Sequence, residues 1–197
     1  MTTWVIIPVK ASPESKTRLA GVLDAGQRAA LVEAMLDRVI KAARAARNVS
    51  RVCVIGTPRS TPATDIGVLP EPGGGLNAAV ASALTEASRQ GAGRAIFVHG
   101  DLPLVTAQDL ELLAAAPAGE VAIAPDRHGT GTNAISLPLP AAKGFSFAFG
   151  PDSFARHNAE AERLGLKIEE IHSQGLARDI DEPEDLPDAA AMLKPAS

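Results

Sequence analysis

Ala95-Ile96-Phe97-Val98-His99-Gly100-Asp101-Leu102-Pro103-Leu104 is the run on which the fold turns. Its first residues form a short apolar strand, and Pro103 cannot donate to a ladder that tried to continue. Asp101 therefore stands as a lone carboxylate at the strand's carboxyl end. In open α/β sheets ligands bind at that end of the strands. A carboxylate there, beside a glycine that admits a close approach, suits a hard cation such as Mg²⁺ carrying phosphates. A strand-ending aspartate in a plain turn has the same local sequence, so the surrounding runs have to decide.

Working outward, short apolar strands alternate with amphipathic stretches, the pattern of a largely parallel sheet covered by helices. Strands are predicted at Trp4 to Val9, Val52 to Ile55, Ile66 to Leu69 (weak), Ala95 to His99, Val121 to Ala124, Ala134 to Leu137 and Lys167 to Ile171. Helices are predicted from Gln27 to Arg47 and from Leu76 to Gln90, the first carrying Val32, Met35, Leu36, Val39, Ile40 and Ala43 on one face. Thr106 opens another, with Asp109 completing a capping box. Ser153 caps a helix to about Leu164, ended by Gly165. Pro183 starts a short last helix. Pro138 to Phe149 has little periodicity and reads as a loop or flap. The expected organisation is a single α/β domain over residues 1–188 with a short tail, 189–197.

Composition narrows the function. With 3% aromatics, no tyrosine and a net charge of −4, the chain lacks the stacking platforms and basic blocks of nucleic-acid or anionic-membrane binders. No apolar stretch approaches transmembrane length and no basic leader precedes the first strand, so a soluble, cytoplasmic protein is expected. Cys53, the single cysteine, sits in Arg51-Val52-Cys53-Val54-Ile55 and reads as a core residue. The histidines at 99, 128, 157 and 172 have no metal-ligand spacing, which argues against zinc. Oligomeric state is not legible.

Five further runs carry chemistry. Pro8-Val9-Lys10-Ala11-Ser12-Pro13-Glu14-Ser15-Lys16-Thr17-Arg18-Leu19 puts three cations, Lys10, Lys16 and Arg18, on a loop leaving a strand's carboxyl end, where they can wrap a triphosphate. It is not a Walker loop. Glu71-Pro72-Gly73-Gly74-Gly75-Leu76-Asn77 leads into a helix, so backbone can approach a ring or phosphate, and the Asn77 amide could read a base edge. Gly129-Thr130-Gly131-Thr132-Asn133 has the composition of an anion-binding nest, and Gly150-Pro151-Asp152-Ser153 offers a glycine and a hydroxyl at a helix start. In Asp179-Ile180-Asp181 the two carboxylates share one side of an extended segment and could complete a metal site opposite Asp101, or either could be an N-cap. Glu184 and Asp185 read as first-turn residues favouring the helix dipole.

In this order the runs resemble the 2-phospholactate guanylyltransferase family of deazaflavin-coenzyme biosynthesis. The likeness runs from Val5 to about Leu186. It rests on Pro8-Val9-Lys10, Lys16-Thr17-Arg18-Leu19, Gly74-Gly75-Leu76-Asn77-Ala78-Ala79, Gly100-Asp101-Leu102-Pro103-Leu104, Ala124-Pro125-Asp126-Arg127, Gly129-Thr130-Gly131-Thr132-Asn133-Ala134, Phe149-Gly150-Pro151-Asp152-Ser153-Phe154-Ala155-Arg156-His157 and Asp179-Ile180-Asp181. It implies a nucleotidyltransferase of the glycosyltransferase-A-like fold with GTP as co-substrate and Mg²⁺ as cofactor. Asp101 would hold the metal with Asp179 or Asp181, and Lys16 and Arg18 would take up leaving-group charge. Pro8, Val9, Lys10, Gly73, Gly74, Gly75, Leu76, Asn77 and Gly100 would embrace the nucleotide. Thr132, Asn133, Gly150 and Ser153 would bind a three-carbon phospho-acid: 2-phospho-L-lactate, phosphoenolpyruvate or 3-phospho-D-glycerate. The chain departs from the family at Thr57-Pro58-Arg59-Ser60-Thr61-Pro62, where relatives often carry an acidic strand end. A sugar-phosphate or molybdopterin nucleotidyltransferase, and a GTP-binding regulator without turnover, are the competing expectations; a dehydrogenase is disfavoured by the wrong glycine fingerprint.

Overall fold

A computed structural model describes residues 2–9, 16–56 and 63–193. Seven strands form one sheet in the order β3-β2-β1-β4-β6-β5-β7. They are β1 (Thr3–Val9), β2 (Arg51–Gly56), β3 (Gly67–Leu69), β4 (Arg94–Val98), β5 (Glu120–Pro125), β6 (Thr132–Pro138) and β7 (Lys167–Glu170). β1 runs parallel to both β2 and β4, β2 to β3, and β5 to β7. Only β6 is reversed, antiparallel to β4 and β5. The sheet is mostly parallel, as expected.

Side chains on a strand alternate between faces, and each face here has its own helix cover. Trp4 and Ile6 of β1 pack with Ala79, Val80, Ala83, Leu84 and Ala87 of α2 (Gly75–Arg89). Val5 and Ile7 turn the other way, onto Val39, Ala42 and Ala43 of α1 (Ala25–Ala45) and Leu110 and Leu113 of α3 (Ala107–Ala115). Burying a side chain such as Val39, Leu110 or Leu113 fully is worth about 1.5–3 kcal/mol, so losing either face would cost the domain its fold. Cys53 is buried in the first layer, and that burial pushes its thiol pKa up, as befits a core residue.

Local chemistry sets the element ends. α1 starts before its predicted first residue because Asp24 and Gln27 form a reciprocal capping box. The Thr106–Asp109 box opens α3 as the sequence indicated. β4 starts one residue early at Arg94, which is buried. Its guanidinium donates to Ser136 Oγ and to the carbonyls of Ala116, Pro117 and Glu120, closing the exposed end of α3. α4 (Ser153–Arg163) and a short α5 (Gln174–Ala177) complete the helices, α5 having no counterpart in the sequence prediction. A 3-10 turn at Pro183–Ala189 takes the place of the last helix, and Ala189 is buried. Among the described residues no helix is long and apolar enough to cross a membrane.

A third, smaller cluster positions the site. Leu19 and Leu23, just after Lys16, pack with Leu31 and Met35 of α1 and with Ile180 and Ala189. The residues that follow Lys16 and the late acidic segment are thereby fastened to each other, although they lie far apart in the chain.

Candidate active site

β1 and β4 are neighbours and parallel, so their carboxyl ends lie on the same edge of the sheet. Asp101 lies three residues beyond the end of β4. Lys16, held in the left-handed region at φ 59, sends its ammonium to Asp101 Oδ2 at 2.5 Å and to Asp181 Oδ1 at 2.8 Å. Burial works against the charged lysine, but the two carboxylates outweigh it and hold its pKa well above the ordinary value. Burial likewise favours the neutral form of Asp101. The charges of Lys16 and His99 and the Lys16 hydrogen bond reverse that, keeping Asp101 ionised below the usual carboxylate range.

The Asp179-Ile180-Asp181 segment behaves as its alternation predicts. Ile180 is fully buried in the third cluster. Asp181 reaches Lys16, while Asp179 stands beside Asn133, whose Nδ2 is 3.5 Å from its Oδ1. Neither aspartate is an N-cap, a position taken by Glu182. Burial, then the charges of Asp101 and Asp181, push the Asp179 carboxyl above its usual range. Asp185, expected only to favour a helix dipole, has a larger part. Buried itself, its Oδ2 accepts the N–H groups of Asp181 (2.9 Å) and Glu182 (2.8 Å), and its Oδ1 is ion-paired with Arg127.

Hard oxygen donors dominate this cluster, and three carboxylates face one ammonium. Asp101 Oδ1 is shut off from solvent with no hydrogen-bond partner among the described residues. An orphaned anionic oxygen next to a carboxyl held up by repulsion fits a divalent cation. No three His, Cys, Asp or Glu side chains among the described residues form a ready cage. Mg²⁺ does not require one, because it keeps waters and takes substrate phosphates with one or two carboxylates.

A cleft of about 370 Å³ opens beside Asp101. Pro8, Val9, Lys16, Gly75, Leu76, Gly100 and Asp101 line it, together with apolar Val32, Leu36, Ile55 and Ala79. Gly73, Gly74 and Gly75 all have φ between 81 and 83, a run open to glycine alone, and it delivers the first turn of α2 to the cleft. Gly56, at the end of β2, has φ 110, and a Cβ there would lie 2.1 Å from the Val9 carbonyl oxygen. Lys10 lies outside the described residues, as does the Thr57–Pro62 departure. Arg18 is brought near the cluster but points to Glu182, with Nη1 2.9 Å from Oε1 and most of the side chain exposed.

Several expectations are corrected by where side chains go. The Asn77 amide, expected to be free to read a base edge, is engaged by backbone. Its Oδ1 accepts the Phe149 N–H at 2.8 Å and its Nδ2 donates to the Phe149 carbonyl at 3.2 Å. The Gly129–Asn133 turn is not an open anion nest, because Asp126 Oδ1 already accepts the N–H groups of His128 and Thr130, each at 3.0 Å. Thr132 and Asn133 belong to β6 and are buried, with Asn133 Nδ2 donating to the Leu176 carbonyl at 2.9 Å. Ser153 is the first residue of α4, not its cap. Its Oγ accepts the Thr132 N–H at 2.9 Å. Gly150, at φ 124, turns the chain just before it.

His157 is the residue that sequence reasoning passed over. It is fully buried; Nε2 accepts the Ala148 N–H at 3.0 Å and Nδ1 lies 3.0 Å from Thr132 Oγ1. An accepting Nε2 leaves the proton on Nδ1, which therefore donates to Thr132. Burial, aided by the charge of His99, pushes its pKa down to about 4, so the ring is neutral. Its sequence signal was its place at the end of the Phe149–His157 run, four residues after Ser153, with no role attached to it.

Comparison with known proteins bears on the whole chain. The model of the family described as "Guanylyl transferase CofC like" matches residues 3–192. The phosphoenolpyruvate guanylyltransferase of Sphaerobacter thermophilus is 42% identical over 196 residues, covering 96% of this chain and 93% of its own. That of Conexibacter woesei is 40% identical, covering 94% and 86%. Among solved structures, a nucleotidyl transferase from Methanothermobacter superposes with TM-score 0.66 at 15% identity over 98% of this chain and 97% of its own. The 2-C-methyl-D-erythritol 4-phosphate cytidylyltransferase of Thermus thermophilus gives 0.59 at 19%, over 97% and 99%. These two speak for the fold alone, and the fold is that of nucleotidyltransferases.

Proposed function

The chain belongs to the CofC-like guanylyl transferase family, and on that premise we propose that it transfers GMP from GTP to a three-carbon phospho-acid, phosphoenolpyruvate first among them. The observation that carries this reading is the charge cluster at the carboxyl ends of β1 and β4, where Lys16 joins Asp101 to Asp181 beside the cleft. The choice of acid follows relatives at 40–42% identity that carry the name phosphoenolpyruvate guanylyltransferase.

In the transfer, an acceptor phosphate oxygen bonds to the α-phosphorus of GTP as the bond from that phosphorus to the bridging oxygen breaks, and pyrophosphate leaves with the electron pair. The nucleophile is already anionic, so the chain need supply no general base. Rate enhancement comes from alignment and from charge placed in advance. Mg²⁺ would be held by Asp101 with Asp179 or Asp181 and would neutralise phosphate charge. The Lys16 ammonium would take up charge on the leaving pyrophosphate. Arg18 can join it only by leaving Glu182, an exposed pair that offers little resistance.

The glycine turn at Gly73–Gly75 and the first turn of α2 would receive the nucleotide, with Pro8, Val9 and Leu76 giving apolar contact in the cleft. On the far side, Gly150, Ser153 and Thr132 would meet the acid. The oxygens of Ser153 and Thr132 each already accept a bond, from Thr132 N–H and from His157 Nδ1–H. Their hydroxyl protons are the capacity left over, which suits an anion.

Pyrophosphate release from GTP and Mg²⁺ with phosphoenolpyruvate, 2-phospholactate and 3-phosphoglycerate offered separately tests the proposal. Release with phosphoenolpyruvate is expected. Release with another of the three would correct the acid, and silence with all three while GTP binds would overturn the reading in favour of another acceptor or a regulator.

A further inference from the structure

Phe145, Ser146, Phe147, Ala148 and Phe149 alternate like a strand. The three rings pack on the core, at 4.8 Å from Phe147 to Phe97 and 5.3 and 5.8 Å from Phe147 to Phe145 and Phe149. Yet no strand pairs with this segment among the described residues. Backbone packed on a core must find hydrogen-bond partners elsewhere. Side chains provide them. Glu160 Oε1 accepts the Ser146 N–H at 2.8 Å and His157 Nε2 accepts that of Ala148 at 3.0 Å, both from α4. Asn77, from α2, engages both the N–H and the C=O of Phe149. Its amide serves Phe149 as one residue of a neighbouring antiparallel strand would.

The two ends of that clasp belong to different halves of the site. Asn77 lies two residues after Gly75, in the helical turn that follows the glycine run. Phe149 leads directly into Gly150 and Ser153, and its ring lies 5.2 Å from the ring of His99 and 4.8 Å from that of His157. His99 in turn borders Asp101. Two hydrogen bonds thus tie the start of α2 directly to Phe149.

We propose that Asn77 is a positioning residue for the acceptor: by fixing Phe149 it sets Gly150 and Ser153 against Asp101, and it couples acceptor binding to the nucleotide seated at the glycine turn. The proposal rests on the transfer reading above for which side receives which substrate. Nucleotide that stiffens the first turn of α2 tightens the acceptor wall, and by linkage the acceptor tightens nucleotide by the same factor.

Asn77→Ala tests it, in a helix where alanine is the better helix former. For the variant we expect the acceptor KM to rise about tenfold, as for a lost hydrogen-bonded contact, with the Kd for GTP alone unchanged within about twofold. We also expect the Phe149 amide to lose protection from hydrogen exchange. In the wild type, GTP should tighten acceptor binding; in Asn77→Ala that coupling should vanish. A weakened GTP Kd with an unchanged acceptor KM would overturn the proposal, because Asn77 would then serve the nucleotide. Unchanged values for both would overturn it too. A wild-type protein that turned over none of the acids would instead overturn the transfer reading. The exchange and a titration of GTP-dependent protection at Phe149 would then decide the coupling by themselves, and protection indifferent to the substitution or to GTP would reject it.

Discussion

Lys16 Nζ stands 2.5 Å from Asp101 Oδ2, although 85 residues separate them. The contact places a charge from the loop after β1 directly on the carboxylate that follows β4. With Asp181 at 2.8 Å on its other side, Lys16 is the cation around which the acidic residues gather. Removing it leaves Asp101, Asp179 and Asp181 facing one another.

Lys16→Met should lower kcat for pyrophosphate release by about 10²–10³, the usual scale for one lost transition-state charge contact. The same substitution should lower the Mg²⁺ concentration needed for half-maximal rate, since a competing positive charge is gone. Steady-state rates across a Mg²⁺ titration measure both. A kcat within about threefold of wild type would show that Lys16 only neutralises the resting site.

Asp101→Asn keeps the shape and removes the charge from the carboxylate whose Oδ1 is left without a partner among the described residues. Turnover should fall at least about 10²-fold, and chelating Mg²⁺ from the wild-type protein should cause a comparable loss. Isothermal titration with GTP in the presence and absence of Mg²⁺ should show a metal-dependent gain in affinity for wild type and little for the variant. Full turnover by the variant with Mg²⁺ would refute the metal assignment.

Asp185 holds the backbone that presents Asp181, and Arg127 holds Asp185. Arg127→Met leaves a buried carboxylate without its partner. Because the guanidinium is partly exposed, the expected destabilisation is about 2 kcal/mol, less than for a fully buried pair, as read by urea denaturation. Turnover should fall together with apparent Mg²⁺ affinity. Stability equal to wild type would mean that solvent already screens the pair.

The neutral, buried His157 makes stability depend on pH. Its folded-state pKa, about 4, is below the ordinary histidine value of 6.5, so the unfolded chain binds the extra proton between those limits. The stabilisation is complete above about 6.5 and is lost as pH falls towards 4, on the order of 3 kcal/mol in all. Asp179, whose carboxyl is pushed up, acts in the opposite sense, since protonation at low pH relieves its repulsion. Urea midpoints for wild type and His157→Gln at pH 7 and pH 5 separate the contributions. The decline from pH 7 to 5 should be much smaller in the variant, and an equal decline would place the titration elsewhere.

Much of the frame was legible because it depends on local patterns. Alternating apolar strands, the Thr106–Asp109 capping box and the carboxylate of Asp101 beyond β4 are all properties of short segments, and neighbouring residues suffice to fix them. The Asp179-Ile180-Asp181 alternation put the two acids on one side of the segment, where the structure has them repelling each other. Asp24 could have been recognised as a cap from Gln27 three residues on.

Side-chain commitments were another matter. Asn77 looks the same in sequence whether it reads a base or clasps Phe149, 72 residues away. Asp185 looks like a helix-start acid until Arg127 is beside it, and His157 like a stray histidine until Thr132 and Ala148 close on its two nitrogens. The sequence by itself determined the sheet, its helical cover and the acidic edge, since hydrophobic period and chain-breaking residues act over a few positions. Only the tertiary structure decided which polar groups remain free to meet a substrate, because a buried donor or acceptor takes whatever partner the packing of distant segments brings within about 3 Å.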